Sequence, residues 1–406
     1  MKAYERLINY AKFPTASDES NESCPSTEKQ FTFAKALKAE LESIGCEDVT
    51  LDENCYLFAT IPATEGLEEI PTIGFIAHMD VSPEVEDTGV NPRIVGYNGG
   101  DIVLNEKLGI TMSESDFPVL AKYHGKTLVV TDGTTLLGAD DKAGVAEIVT
   151  AAERMINDKS IRHGKLRIGF TPDEEIGRGA DLFDVRKFGA KYAYTVDGAS
   201  FGEVDYETFN ASALKVKIKG KSIHPGDAKD KMINASIVAA EYIGLLPPLE
   251  RPERTSGYEG FFHLTDMAGN VEEASLSFII RDHDMKKLTY RQEMAKRAAD
   301  ELNRRYGEGT VSVTIKESYR NMREMIEPEF QVVENAYEAV RELGGFPVSS
   351  PVRGGTDGSR LSFMGLPCPN LGTGSHNHHG RFEFACVEEM EECVALVVKI
   401  AEIYAR

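Results

Sequence analysis

Three short, apolar-rich runs, Thr72–Ala77, Lys165–Phe170 and Lys191–Val196, set the tightest limit on the fold. The first is nearly all apolar, as expected of a strand buried on both faces of a helix-covered sheet. The other two are further buried-strand candidates, and Tyr56–Ile61 is another β-rich run. Segments with helical spacing alternate with them. Phe33, Leu37, Leu41 and Ile44 keep the period up to Gly45, and Thr27 with Gln30 has capping-box spacing. Ala143–Met155 turns Val145, Ile148, Val149 and Ala152 inward. Helices alternating with buried strands predict an α/β sandwich. Residues 83–128, polar and glycine-rich without clear period, read as a long loop of the kind that is usually functional or mobile.

From about Phe209 the pattern changes. Leu214, Val216 and Ile218 alternate with Lys215, Lys217 and Lys219, a strand with one wet face. A helix over Ile233–Leu245, a strand over Ala274–Ile280, a helix over Lys286–Tyr306 and a strand over Val311–Ile315 suggest a β-α-β-β-α-β set. The α/β pattern then resumes with helices at Gln331–Leu343 and Val387–Tyr404. The predicted organisation is therefore a catalytic domain in two parts, 1–208 and 323–406, interrupted by an inserted α+β domain over 209–322.

At 406 residues the chain exceeds one ordinary domain, and 41% hydrophobic with 27% charged residues is normal for a folded enzyme. No apolar run is long enough to span a bilayer, and the first residues lack a signal-peptide core. Six cysteines without a CxxC pair fit reduced thiols, so a cytoplasmic location is expected. A net charge of −21 disfavours nucleic acid and anionic membrane as partners.

Four acidic or histidine clusters stand at ends of predicted elements, where open α/β sheets bind ligands. In Ala77-His78-Met79-Asp80, residues 78 and 80 point the same way along a strand, so one can bind a metal while the other approaches the same place. Gly138-Ala139-Asp140-Asp141-Lys142-Ala143-Gly144 offers two acids at a helix start, where a cap needs only one. Asp173-Glu174-Glu175 repel one another unless cations or hydrogen bonds compensate, although a solvated charge run has the same look. Asp197 before Gly198 is the fourth, with a turn-initiating aspartate as its plain alternative. A fifth cluster, Gly372 to Gly380, holds His376, His378 and His379, of which only one need belong to a site. Two histidines with three or four carboxylates suit a pair of divalent ions: zinc, with cobalt or manganese as substitutes.

These motifs resemble, in order and spacing, the acetylornithine-deacetylase and carboxypeptidase-like dizinc peptidases. Asp132-Gly133-Thr134-Thr135-Leu136-Leu137-Gly138, Arg353-Gly354-Gly355-Thr356-Asp357-Gly358 and Asn377-His378-His379-Gly380 carry the likeness along the whole chain. The resemblance implies a zinc-peptidase-like catalytic α/β sandwich with an inserted ferredoxin-like dimerisation or lid domain. It implies two Zn2+ ions per subunit, one held by His78, Asp140 and Asp197, the other by Asp140, Glu175 and His379, with Asp140 bridging. His378 is the alternative to His379. Glu174 becomes the general base, Asp80 orients His78, and a cis peptide follows Asp140. His224, in Gly220-Lys221-Ser222-Ile223-His224-Pro225-Gly226, is implied to reach the reacting carbonyl of the opposite subunit. Without the resemblance it reads as a turn histidine before proline. Arg281 and Arg353 become clamps for a substrate carboxylate, a task suited to a planar guanidinium. The implied activity is removal of the N-terminal residue from tripeptides in intracellular peptide turnover, by a homodimer. N-deacylation, dipeptidase or carboxypeptidase action are the rival hydrolyses; a non-catalytic metal- or peptide-binding protein is the rival of another class.

Overall fold

The computed structural model describes residues 1–406, and the chain forms two compact units. The first comprises Met1–Tyr206, Met322–Ser350 and Thr356–Arg406. Its seven-stranded sheet has the order 47–51, 57–61, 166–171, 73–78, 192–198, 370–372, 204–205. Ile73–His78 lies in the middle, parallel to both Leu166–Thr171 and Tyr192–Gly198. Every residue of Ile73–His78 and Leu166–Thr171 is buried, as the apolar runs predict. Helix Ala139–Asn157 covers one face and is itself covered by helix Val387–Tyr404. On the other face Phe183, Phe188, Leu361 and Leu366 pack with Phe58 and Ile76. Full burial of each such side chain stabilises the fold by about 1.5–3 kcal/mol. The fit is tight: a Cβ on Gly74 would lie 2.4 Å from the Phe188 ring, so no larger residue fits there unless that ring moves.

Helix Lys29–Ile44 ends at Gly45, whose φ of 98° is a left-handed value glycine adopts freely. The expected capping box does not form. Thr27 Oγ1 donates to Ala16 O, and Gln30 Nε2 donates to Asp173 Oδ1 at 2.7 Å. Gln30 Oε1, the acceptor a capping box needs, instead accepts Asp173 N at 3.3 Å, so both ends of the amide are committed to Asp173.

Residues 83–128 differ from the predicted loop. They include strands Arg93–Tyr97, Ile102–Asn105, Ile110–Met112 and the start of Lys126–Val130. Tyr97, Leu104, Met112 and Tyr123 build a small core with Phe384 and Cys386 from far along the chain. Strands this short, several of them half-exposed, leave little period to read.

The second unit is Glu207–Asn321 with Pro351–Gly355. Its antiparallel sheet is ordered 261–269, 273–282, 210–219, 311–319, and helices Ala235–Leu245 and Met285–Tyr306 share its core. Leu214, Val216 and Ile218 are buried while Lys215, Lys217 and Lys219 are exposed. Strand Phe261–Gly269 supplies the member that the sequence pattern did not mark; past Phe262 it is mostly exposed. Residues 351–355, read from sequence as part of 323–406, belong to this unit. Val352 N donates to Glu207 O at 3.0 Å, and Phe209 N to Gly354 O at 3.3 Å. No helix is long and apolar enough to cross a membrane.

Candidate metal centre

Three parallel strands bring their C-terminal ends together in the first unit. One ends in His78. The second leads through Asp173, at φ 57°, into the short 3-10 turn Glu174–Ile176. The third carries Asp197. Asp140 arrives from the start of helix Ala139–Asn157, after Gly138 at φ 72°, and the Asp140–Asp141 peptide is cis. A Cβ on Gly144 would lie 1.8 Å from Val196 O. That glycine lets the helix start press against the Asp197 strand, which explains the glycine-flanked acid pair.

His78 Nε2 is 2.9 Å from Asp140 Oδ1, 3.5 Å from Asp197 Oδ1 and 4.0 Å from Glu174 Oε2. Its Nδ1 faces Asp80, 3.1 Å from the carbonyl oxygen and 3.3 Å from Oδ1. Asp80 is fully buried and also accepts the amides of Glu174 at 3.0 Å and Glu175 at 3.1 Å. It therefore fixes the backbone of both neighbouring acids as well as facing the imidazole. His379 Nε2 lies 2.8 Å from Glu175 Oε2 and 3.4 Å from Asp140 Oδ2. His78, Asp80, Asp140, Glu174, Glu175, Asp197 and His379 thus converge on one place.

The remaining members of each sequence cluster have other partners. Asp173 accepts from Ser26 N at 2.7 Å and from Gln30 Nε2 at 2.7 Å, tying the turn to the loop before helix Lys29–Ile44. Asp141 accepts the amides of His78 and Gly144, each at 3.2 Å, which is the capping role. It nonetheless lies close enough to count: His78, Asp141 and Asp197 form one compact donor triad, and His78, Asp140 and Glu175 another. Because amides already hold both Asp141 oxygens, Asp140 is the freer donor. His376 is buried against the Tyr123 hydroxyl, and burial pushes its imidazole down to about 3. His378 bonds Ser375 Oγ through Nε2 at 2.9 Å and sits 3.5 Å from Asp140 Oδ2.

Burial disfavours charge throughout the cluster. It raises Glu174 well above the usual carboxylate range, and with the Asp140 charge it raises Glu175 to about 7. Burial opposes the Asp140 charge too, but His378, His379 and His78 outweigh it and hold that acid low. Burial likewise opposes the His78 proton, yet Asp197, Asp140 and Asp80 keep the imidazole well above its normal value. Hydrogen bonds to Asp140 and Glu175 lift His379 to about 11. A nest of acids that retains protons in this way is a nest that bound cations would neutralise. Glu175 Oε1 is buried without a hydrogen-bond partner, an oxygen that a cation would satisfy. The mixed imidazole and carboxylate donors fit zinc, cobalt or manganese.

Two buried acids near the centre escaped the sequence reading. Asp357 accepts from Thr171 Oγ1 at 2.8 Å, and burial raises it to about 7. It stands inside the Arg353–Gly358 motif, where no role distinguished it. Glu383 accepts three backbone amides of the Asp140 loop. Nothing local marks a residue whose partners lie so far back in the chain.

The other predicted residues lie in the second unit. His224 is exposed, and its Nδ1 accepts Gly226 N at 3.1 Å, the geometry of a turn histidine. Arg281 Nη1 donates to Arg353 O at 2.9 Å, while its buried Nε has no partner. Arg353 is more committed, donating to Gly257 O, Glu259 O and Thr255 Oγ1, each at 2.8 Å. Both guanidiniums lie over the Phe261 ring, at 5.9 and 5.5 Å.

The sequence profile described as peptidase family M20/M25/M40 matches residues 128–403. Peptidase T of Caldanaerobacter subterraneus is 52% identical over 406 residues, covering 100% of this chain and 99% of that protein. The crystal structure of aminopeptidase PepT from Bacillus cereus superposes with a TM-score of 0.77 at 25% identity, over 100% of this chain and 98% of that one. A Bacillus subtilis protein described as a dinuclear metal-binding peptidase of the M20 family shares the fold, with a TM-score of 0.66 at 16% identity over 99% and 98% of the two chains. With a half-identical relative along its full length and the family profile across most of it, the chain belongs to peptidase family M20/M25/M40, among the peptidase T proteins.

Proposed function

We propose that this chain is a two-zinc aminopeptidase that releases the N-terminal residue of tripeptides, with cobalt or manganese able to replace zinc. The observation that carries the reading is the convergence of His78, Asp140, Glu175, Asp197 and His379 on one place beside Glu174, buried at His78 and open at the exposed His379. His78, Asp140 and Asp197 would hold one ion; Asp140, Glu175 and His379 would hold the other. Such ions lower the pKa of water and polarise a carbonyl. Glu174 takes the proton of the attacking water and delivers it to the departing amine, a role its place beside the ligand His78 suits. Asp80 keeps His78 and the Glu174 backbone in register. His224 stabilises the developing oxyanion from the opposite subunit of a homodimer. Arg281 and Arg353 take the peptide's terminal carboxylate and so measure chain length.

Exposed Ile237, Leu245 and Leu249 in the second unit support a self-association surface. All six cysteines are free, which supports a reducing cytoplasmic setting and intracellular peptide turnover. The test is digestion of matched di-, tri- and tetrapeptides, with each released residue identified. Preferred tripeptide cleavage with release of the first residue is expected. Release of the last residue, or of an acyl group only, would replace the reading with one of its rivals.

A further inference from the structure

Glu383 is 2% exposed, and its carboxylate is held by backbone amides. Its Oε2 accepts the amides of Leu137 at 3.0 Å and Gly138 at 2.6 Å, and its Oε1 accepts the amide of Asp140 at 2.9 Å. These donors belong to the loop that delivers Asp140 to His78. Glu383 also lies four positions after His379, and its own amide donates to Gly380 O at 3.3 Å. One residue therefore joins the two loops, its carboxylate holding the Asp140 loop and its backbone amide the His379 loop.

We propose that Glu383 is a positioning residue of the metal centre, its carboxylate fixing the Asp140 loop so that Asp140 stands between His78 and His379. The proposal rests on the reading of Asp140 as a metal ligand. Its physical basis is the matching of three amide donors to a group that only accepts. An amide side chain in its place presents an NH2 group towards one set of N–H donors, so part of the clamp is lost and the loop relaxes. Groups that orient metal ligands without touching the ion typically change affinity by about 10–100-fold when altered.

The experiment is competition for Zn2+ between the protein and a chromophoric chelator, run on the unsubstituted chain, Glu383→Gln, Glu383→Asp and Asp140→Asn. Glu383→Gln is expected to weaken zinc binding about 10–100-fold. Glu383→Asp, which keeps the acceptor charge, should recover part of that loss. At saturating zinc, tripeptide turnover by Glu383→Gln should return towards the normal kcat at unchanged KM, which a general loss of folded protein would not produce. Normal zinc affinity in Glu383→Gln alongside a loss in Asp140→Asn would overturn the positioning role alone. Normal affinity in Asp140→Asn would overturn the ligand reading beneath it. If Glu383→Gln does not fold, Glu383→Asp decides: reduced affinity supports the clamp, and unchanged affinity removes it.

Discussion

In the first unit, half-buried carboxylates crowd around buried His78 while Asp80 holds the backbone amides of two of them; in the second, Arg281 and Arg353 lie over Phe261 and are steadied by carbonyls. The first arrangement concentrates negative charge out of water, which is costly until cations or protons arrive. The second concentrates positive charge with neither guanidinium in an ion pair, which leaves room for an anion. On the function proposed above, each unit carries the complement of a different partner: metal ions for one, a carboxylate for the other. The contrast also separates the two arginines. Arg353 staples residues 255–259, whereas Arg281 makes one hydrogen bond and retains donors for a ligand.

The largest effect should come from the first unit. Glu174→Gln is expected to lower kcat by about 10²–10⁴-fold while metal analysis still finds the ions bound. Glu175→Gln, one residue on, should lose metal first, because His379 and the orphaned Oε1 converge there. An exchange of those two outcomes would exchange the residues' roles.

A smaller effect is expected in the second unit. Arg281→Ala should raise KM for tripeptides with little change in kcat, and C-terminal amidation of the peptide should mimic it. A charge-assisted contact is worth about 1.5–3 kcal/mol, or roughly 10–150-fold in kcat/KM. Arg353→Ala should also raise KM and, unlike Arg281→Ala, lower the melting temperature, because Arg353 bonds residues 255–259 as well. Equal KM losses from both variants at unchanged melting temperature would abolish the distinction between them.

The smallest effect is on stability. Glu175 and Asp357, each raised to about 7 by burial, bind more protons folded than unfolded between their ordinary values and pH 7. Their contribution is present at low pH and lost as pH rises through about 7. The melting temperature of metal-free protein should therefore fall between pH 5 and 8 by more than that of the zinc-loaded protein. Parallel curves for the two forms would show that the acid nest is not what the metals relieve.

The same contrast governs what could be read in advance. The choice of Asp140 over Asp141 and the separate parts of Glu174 and Glu175 came from the family likeness. The clusters holding His78, Asp140, Glu174, Glu175 and Asp197 stand next to apolar strands or a glycine-flanked helix start, so local pattern marked the clusters. The alternation of Leu214, Val216 and Ile218 with lysines marked the inserted unit for the same reason. Choosing His379 over His378 needed the family likeness, because adjacent histidines share one local environment. Glu383 and the Asp173–Gln30 bond were illegible, since their partners are over a hundred residues away. The small strands within 83–128 failed differently: their core is completed by Phe384 and Cys386, and no window of sequence contains both halves.

Cations filling the nest around His78 would relieve its crowded carboxylates and supply the reacting water. The most direct measurement strips the protein stepwise with a chelator and determines metal content and tripeptide turnover on the same samples. Turnover falling in step with the loss of about two ions per chain, and returning on addition of zinc, is the predicted result. Full turnover in protein verified to be free of metal would contradict it.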